Sequence, residues 1–92
     1  MSTWYVYLLR CSDNSLYCGV TTDPERRLKE HNSGTGAKYT RCRLPAAMEV
    51  YEAFADKRAA YRAEYAVKQK RAEQKVAFLK DLAAQDEAST SS

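Results

Sequence analysis

Trp4-Tyr5-Val6-Tyr7-Leu8-Leu9-Arg10, followed by Cys11-Ser12-Asp13-Asn14-Ser15 and then Leu16-Tyr17-Cys18-Gly19-Val20-Thr21, is the stretch on which the fold turns. The first run is apolar or aromatic up to Arg10, the middle group is rich in turn formers, and the last is again apolar, aromatic and threonine-bearing. The segment therefore reads as an antiparallel β-hairpin. Centring its loop on Asp13 sets Tyr7 opposite Gly19 and Leu9 opposite Tyr17. Side chains alternate along a strand, so Tyr5, Tyr7, Tyr17 and Gly19 share one face. Two phenols converge there, and the glycine leaves space beside them.

Outward from the hairpin, Thr22-Asp23-Pro24-Glu25 combines a capping side chain, a proline at the first helical position and an early acid. These mark a helix start, and the helix should run to about Asn32, with Gly34 and Gly36 ending it. Leu28 is almost its only apolar residue, so burial explains this helix poorly. Arg27 and His31, four apart, project from one face of it.

Gly36 to Arg41 reads as a basic loop, and Ala47 to Phe54 alternates as a third strand. Asp56 caps a helix from Lys57 to about Gln69, whose Ala60, Ala63 and Val67 form a buried stripe with Glu64 on its border. A last helix, from about Ala72 to Ala84, carries Ala72, Val76, Leu79 and Ala83 at helical spacing, with Phe78 and Leu82 widening the core face. The reading is one domain over residues 1–84 and a disordered tail over 85–92.

Bulk properties bound the rest. A chain of 92 residues, 45% hydrophobic and 29% charged, supports one compact domain with a modest core, unlike disordered or membrane chains. The apolar run at Trp4–Leu9 is too short to span a bilayer and lacks the layout of a secretory signal, so the expected address is cytoplasmic, with no membrane partner. Cys11, Cys18 and Cys42 are odd in number and contain no C-x-x-C pair, which favours buried free thiols over a disulfide framework. A zinc site drawn from them and His31 lacks the usual paired spacing. Residues 81–92 hold Asp81, Asp86 and Glu87 and no Lys or Arg, leaving fifteen basic side chains against nine acidic ones in the rest. Such a basic body suits a polyanion, because neutralising phosphates releases counterions. Lys38, Tyr39, Arg41 and Arg43 combine cations with an aromatic, a composition suited to tracking a phosphate backbone and stacking a base.

Tyr5-Val6-Tyr7, then Tyr17-Cys18-Gly19, then Arg27 and His31 on a capped helix, with Glu64 on a later one, resembles the GIY-YIG nuclease family. Thr21-Thr22-Asp23-Pro24-Glu25-Arg26-Arg27, Gly34-Thr35-Gly36-Ala37-Lys38-Tyr39-Thr40-Arg41 and Arg62-Ala63-Glu64-Tyr65 look like its small stand-alone bacterial branch. The first tripeptide begins with Tyr5 where the family has glycine, and Cys18 replaces a branched apolar residue; neither change removes a phenol. The resemblance implies an α/β (α+β) fold, a small three-stranded antiparallel sheet flanked by helices, with a cleft across one sheet face.

It also implies a metal-dependent endonuclease that hydrolyses DNA phosphodiesters, branched or damaged DNA included, in repair or recombination. The alternative is a non-catalytic DNA- or RNA-binding module of the same fold, motivated by the departures at Tyr5 and Cys18. On the enzymatic reading Glu64 holds one Mg²⁺ or Mn²⁺, and no small-molecule cofactor is expected. Tyr7 is the general base. A free phenol has a pKa of about 10, so Arg27 and the metal are expected to lower it. Arg27 also grips phosphate, Tyr17 orients the water or contacts phosphate, and His31 assists by hydrogen bonding or proton transfer. Taken alone, Glu64 reads rather as the ion-pair partner of a nearby Arg at the core edge, and it is the resemblance that reverses that reading.

Overall fold

The computed structural model describes residues 3–90, with side chains placed as far as Asp86. Seven elements follow one another: β1 (Trp4–Arg10), β2 (Leu16–Thr21), α1 (Pro24–Asn32), α2 (Lys38–Arg41), β3 (Ala47–Phe54), α3 (Lys57–Lys68) and α4 (Ala72–Thr90). The strands form one sheet in the order β2-β1-β3, with β1 antiparallel to both neighbours. This is the expected three-stranded antiparallel sheet with flanking helices.

The hairpin closes in the register that its loop dictates. Asp13 accepts from the Ser15 backbone N–H at 3.1 Å, Asn14 takes the left-handed conformation at φ 70°, and Tyr7 pairs with Gly19 and Leu9 with Tyr17. Asparagine tolerates that conformation better than most residues.

Alternation divides the sheet between two cores. Val6, Leu8, Leu16, Cys18 and Phe54 face α3 and α4, where Ala60, Ala63, Val67, Leu79 and Ala83 complete the larger cluster. Full burial of side chains such as Leu8 or Leu79 contributes about 1.5–3 kcal/mol each. The opposite face carries Tyr7, Leu9 and Ala46 with Tyr17, Leu28, Leu44 and Met48 packed around them. Among the described residues only the nine-residue α1 and the chain after it shelter that second face, which leaves room for a cleft.

Asp23 caps α1 by accepting from the Arg26 N–H at 3.1 Å, and Pro24 stands at its start. Gly34, at φ +86°, reverses the chain beyond its end. Asn32 then grips Ala46 in both directions, donating to its carbonyl at 2.9 Å and accepting from its N–H at 2.7 Å. That pair anchors α1 to the entry of β3.

Two boundaries differ from expectation. The segment read as a loop contains the single turn α2, whose Thr40 is fully buried. The last helix passes Ala84 and continues to Thr90. Its added turn is tied to the sheet by Asp86, whose carboxylate accepts from the Ala55 N–H at 2.8 Å, and residues 91–92 of the expected tail lie outside the described residues. Among the described residues no helix is long and apolar enough to cross a membrane.

Candidate active site

The second sheet face brings Tyr7, Tyr17, Arg27 and His31 together. Tyr7 and His31 are almost completely buried, at 1% and 0% exposure. The Tyr7 hydroxyl lies 2.9 Å from His31 Nε2, and Arg27 Nε donates to the same oxygen at 3.4 Å. Arg27 and His31 reach one atom because they stand a helical turn apart on α1. Arg27 is itself held by Glu30, which accepts from Nη1 at 2.9 Å.

Gly19 makes the phenol's position possible. A Cβ there would stand 2.6 Å from Tyr7 Cζ, inside any real contact distance. Gly36 does the same for the imidazole, since a Cβ on it would lie 2.7 Å from His31 Cγ. Behind the imidazole, His31 Nδ1 is 2.8 Å from Thr40 Oγ1.

Burial decides the ionisation of this group. Desolvation pushes the Tyr7 phenol up to about 12, although the Arg27 hydrogen bond and charge pull the other way. The expectation of a lowered phenol pKa is thus reversed in the protein by itself, because loss of hydration outweighs one partly exposed guanidinium. His31 is held below its ordinary value, first by burial and then by the Arg27 charge, and it is neutral at pH 7. The Arg27 pKa is raised by its bonds to Glu30 and Tyr7.

Tyr17 is the phenol of the pair that reaches solvent. Its ring lies edge-on to His31 at 5.3 Å between centroids and at 6.3 Å from Tyr7. Tyr39 stacks on it at 5.8 Å. Arg43 then covers Tyr39, its guanidinium carbon 4.0 Å from the ring centroid, while Nε pairs with Asp13 at 2.9 Å and the backbone carbonyl accepts from the Ser12 N–H at 2.8 Å. The basic segment is therefore two things: Arg43 and Tyr39 form a wall clamped to the hairpin loop, whereas Lys38 and Arg41 are exposed.

Glu64 comes from the other side of the hairpin, on α3. Its ion-pair partner is Lys68, 3.5 Å away, and its side chain is only 18% exposed. Burial is the main cause that raises the Tyr17 phenol and the Cys18 thiol, and the Glu64 charge adds to it. Glu64 therefore lies within electrostatic range of β2, whereas among the described residues no hydrogen bond or ion pair joins it to Tyr7, Arg27 or His31. The Cys18 thiol itself is buried and pushed up to about 12, so it is an inert core group. No group of three or more His, Cys, Asp or Glu able to hold a metal occurs among the described residues. One sheltered carboxylate suits a hard cation that keeps most of its waters and takes phosphate oxygen as a ligand, unlike a closed zinc centre.

Glu30, Gly36, Asn32 and Thr40 belong to the site's frame, a role the sequence reading gives to none of them. Only Glu30 carries a local signal, the three-residue spacing from Arg27 that lets an acid and a base meet on a helix.

The chain that builds this arrangement has relatives among known proteins. A family model described as the GIY-YIG catalytic domain matches residues 3–77. The chain belongs to that nuclease family, whose membership implies a nucleic acid substrate. Its relatives include a UPF0213 protein of Streptococcus agalactiae, 53% identical over 76 residues that cover 83% of this chain and 86% of the relative. Another, from Staphylococcus haemolyticus, is 43% identical over 81 residues, covering 88% and 99%. The solution NMR structure of an E. faecalis protein matches at a TM-score of 0.61 with 48% identity, covering 88% of this chain and 86% of that one. A UPF0213 protein of Bacillus halodurans matches at 0.52 with 46% identity, covering 85% and 83%.

Proposed function

We propose that this protein is a divalent-metal-dependent endonuclease that hydrolyses DNA phosphodiesters in the cytoplasm, in the service of repair or recombination. The observation that carries the reading is the meeting of His31 Nε2 and Arg27 Nε on the Tyr7 hydroxyl, at 2.9 and 3.4 Å. A structural tyrosine needs one hydrogen-bond partner; the oxygen of this one meets both a neutral imidazole nitrogen and a cation.

A phenol raised to about 12 is a poor base if it must first ionise. It becomes a useful one when proton gain and loss are coupled. Water gives a proton to Tyr7 Oη as Tyr7 passes its own to neutral His31 Nε2, so no free phenolate accumulates. The resulting hydroxide attacks phosphorus, a new P–O bond forms, the opposite ester bond breaks, and the departing oxygen takes up a proton from solvent. Arg27 stabilises oxygen charge on both Tyr7 and the phosphate. Tyr17, the half-buried phenol, orients the water or hydrogen-bonds a phosphate oxygen. Glu64 would hold one Mg²⁺ or Mn²⁺, which supplies charge neutralisation at the phosphoryl and departing oxygens. Lys38 and Arg41, exposed on α2, would follow the phosphate backbone beside the site.

The test is incubation of pure protein with branched, nicked, single-stranded and duplex DNA in Mg²⁺ or Mn²⁺, with chelator controls. Metal-dependent cleavage of at least one substrate is expected. Salt-sensitive binding to DNA or RNA without cleavage of any substrate would replace this reading with the non-catalytic module.

A further inference from the structure

Four hydrogen-bonding groups follow one another beneath the site. Tyr7 Oη lies 2.9 Å from His31 Nε2, His31 Nδ1 lies 2.8 Å from Thr40 Oγ1, and Thr40 Oγ1 donates to the Ala37 carbonyl at 2.8 Å. The direction of the whole chain follows from its last link. A carbonyl only accepts, so the Thr40 hydroxyl proton that bonds Ala37, beside the Thr40 backbone N–H on the same oxygen at 3.1 Å, is not available to His31. Thr40 Oγ1 can then serve His31 only as an acceptor, which requires a proton on Nδ1. A neutral imidazole carries one N–H, so Nε2 is bare and faces the Tyr7 hydroxyl as an acceptor.

We infer that Thr40 is a positioning residue for the reaction: by accepting from His31 Nδ1 it fixes the tautomer that leaves Nε2 open to receive the Tyr7 proton. The opposite tautomer would point an N–H at Tyr7 and close that route. The catalytic use of this chain rests on the nuclease reading; the tautomer does not.

Three features support a built device over a chance contact. Thr40 and His31 are both 0% exposed, so water does not compete for either link. Gly36 lacks the side chain that would collide with the imidazole, and this lets the 37–40 turn close on it. The turn is also fastened from outside, since Arg43 donates to the Tyr39 carbonyl at 2.8 Å and pairs with Asp13 at 2.9 Å. Around the imidazole stand Tyr7 from β1, Tyr17 from β2, Arg27 and Glu30 from α1, and Thr40 from α2.

The experiment reads the His31 ring nitrogens by ¹⁵N NMR at neutral pH, in the wild-type protein and in Thr40→Val and Thr40→Ser. The wild type and Thr40→Ser should show Nδ1 protonated and Nε2 bare, and Thr40→Val should shift toward the opposite tautomer. In cleavage assays Thr40→Val should lower kcat by on the order of 10²-fold, the scale of general acid–base assistance, with KM little changed and Thr40→Ser restoring the rate. A wild-type His31 protonated on Nε2 overturns the inference, as does a folded Thr40→Val with unaltered tautomer and kcat. If Thr40→Val does not fold, the wild-type and Thr40→Ser spectra decide. The expected tautomer in a protein that cuts no nucleic acid would confirm the hydrogen-bond chain and defeat the nuclease reading instead.

Discussion

Tyr7 Oη and His31 Nε2, on two almost completely buried side chains, are 2.9 Å apart, and this pairing joins the centre of the sheet to α1 on its second face. It makes one contact both a packing element and the proposed route for a proton. Changes that disturb it should therefore affect stability and turnover in separable ways.

Gly19→Ala should show the packing side. Its Cβ would press on the almost completely buried Tyr7 ring, 2.6 Å from Cζ. Overpacking of this kind costs about 1–3 kcal/mol. Urea unfolding should show that loss, and cleavage should fall further than DNA affinity does. Wild-type stability in the variant would mean that Tyr7 moves freely, contrary to its burial.

Titration should destabilise the fold at both ends of the pH range. His31 is lowered in the folded state, so its contribution is complete above the unfolded value of about 6.5 and is lost as pH falls below it, when only the unfolded chain gains the proton. Tyr7 is raised from 10.0 to about 12, so its contribution is complete below pH 10 and is lost as pH climbs through 12. Unfolding free energies across the range should fall at both ends. His31→Gln should flatten the acid limb and Tyr7→Phe the alkaline one; limbs unmoved by these substitutions would contradict the burial argument.

Arg27→Lys should separate charge from geometry. Lysine keeps the cation but cannot hold Glu30 and the Tyr7 oxygen with one planar group. Losing a charge-assisted hydrogen bond costs about 1.5–3 kcal/mol, so cleavage should drop by one to two orders of magnitude. Binding at moderate salt should weaken far less. Full activity in Arg27→Lys would reduce Arg27 to a general positive charge.

The basic segment should divide by salt dependence. Removing one phosphate contact reduces the slope of log K against log salt by about one, and that is the outcome expected for Lys38→Ala and Arg41→Ala. Arg43→Ala should leave the slope nearly unchanged and lower thermal stability, because this side chain is spent on Asp13 and the Tyr39 ring. The reverse pattern would place Arg43 on DNA.

Much of this was legible in the residues. The loop around Asp13 sets the Tyr7–Gly19 pairing, and the four-residue step from Arg27 to His31 brings both to the same phenol. Other features depend on distance along the chain. Nothing near Arg43 announces Asp13, thirty positions earlier, so composition reads a free basic loop where there is a clamp. Thr40 meets His31 across a chain reversal and carries no periodic mark. The ionisation of Tyr7 in the protein by itself departs from expectation for a similar reason: charges are visible in a sequence, whereas the desolvation that outweighs Arg27 there arises only when the sheet and α1 close. The extra length of α4 turns on one contact, Asp86 with Ala55, which hydrophobic spacing does not report.

The most direct test is a comparison of single-turnover DNA cleavage in Mn²⁺ by the wild type, Tyr7→Phe, Tyr17→Phe and Glu64→Ala. Tyr7→Phe should lose at least about 10²-fold, the lower range for general acid–base catalysis, while keeping its affinity for DNA. Tyr17→Phe should lose less, and Glu64→Ala should need more metal to reach any given rate. Cleavage undiminished by Tyr7→Phe, or a larger loss in Tyr17→Phe, would show that the buried phenol is not the base.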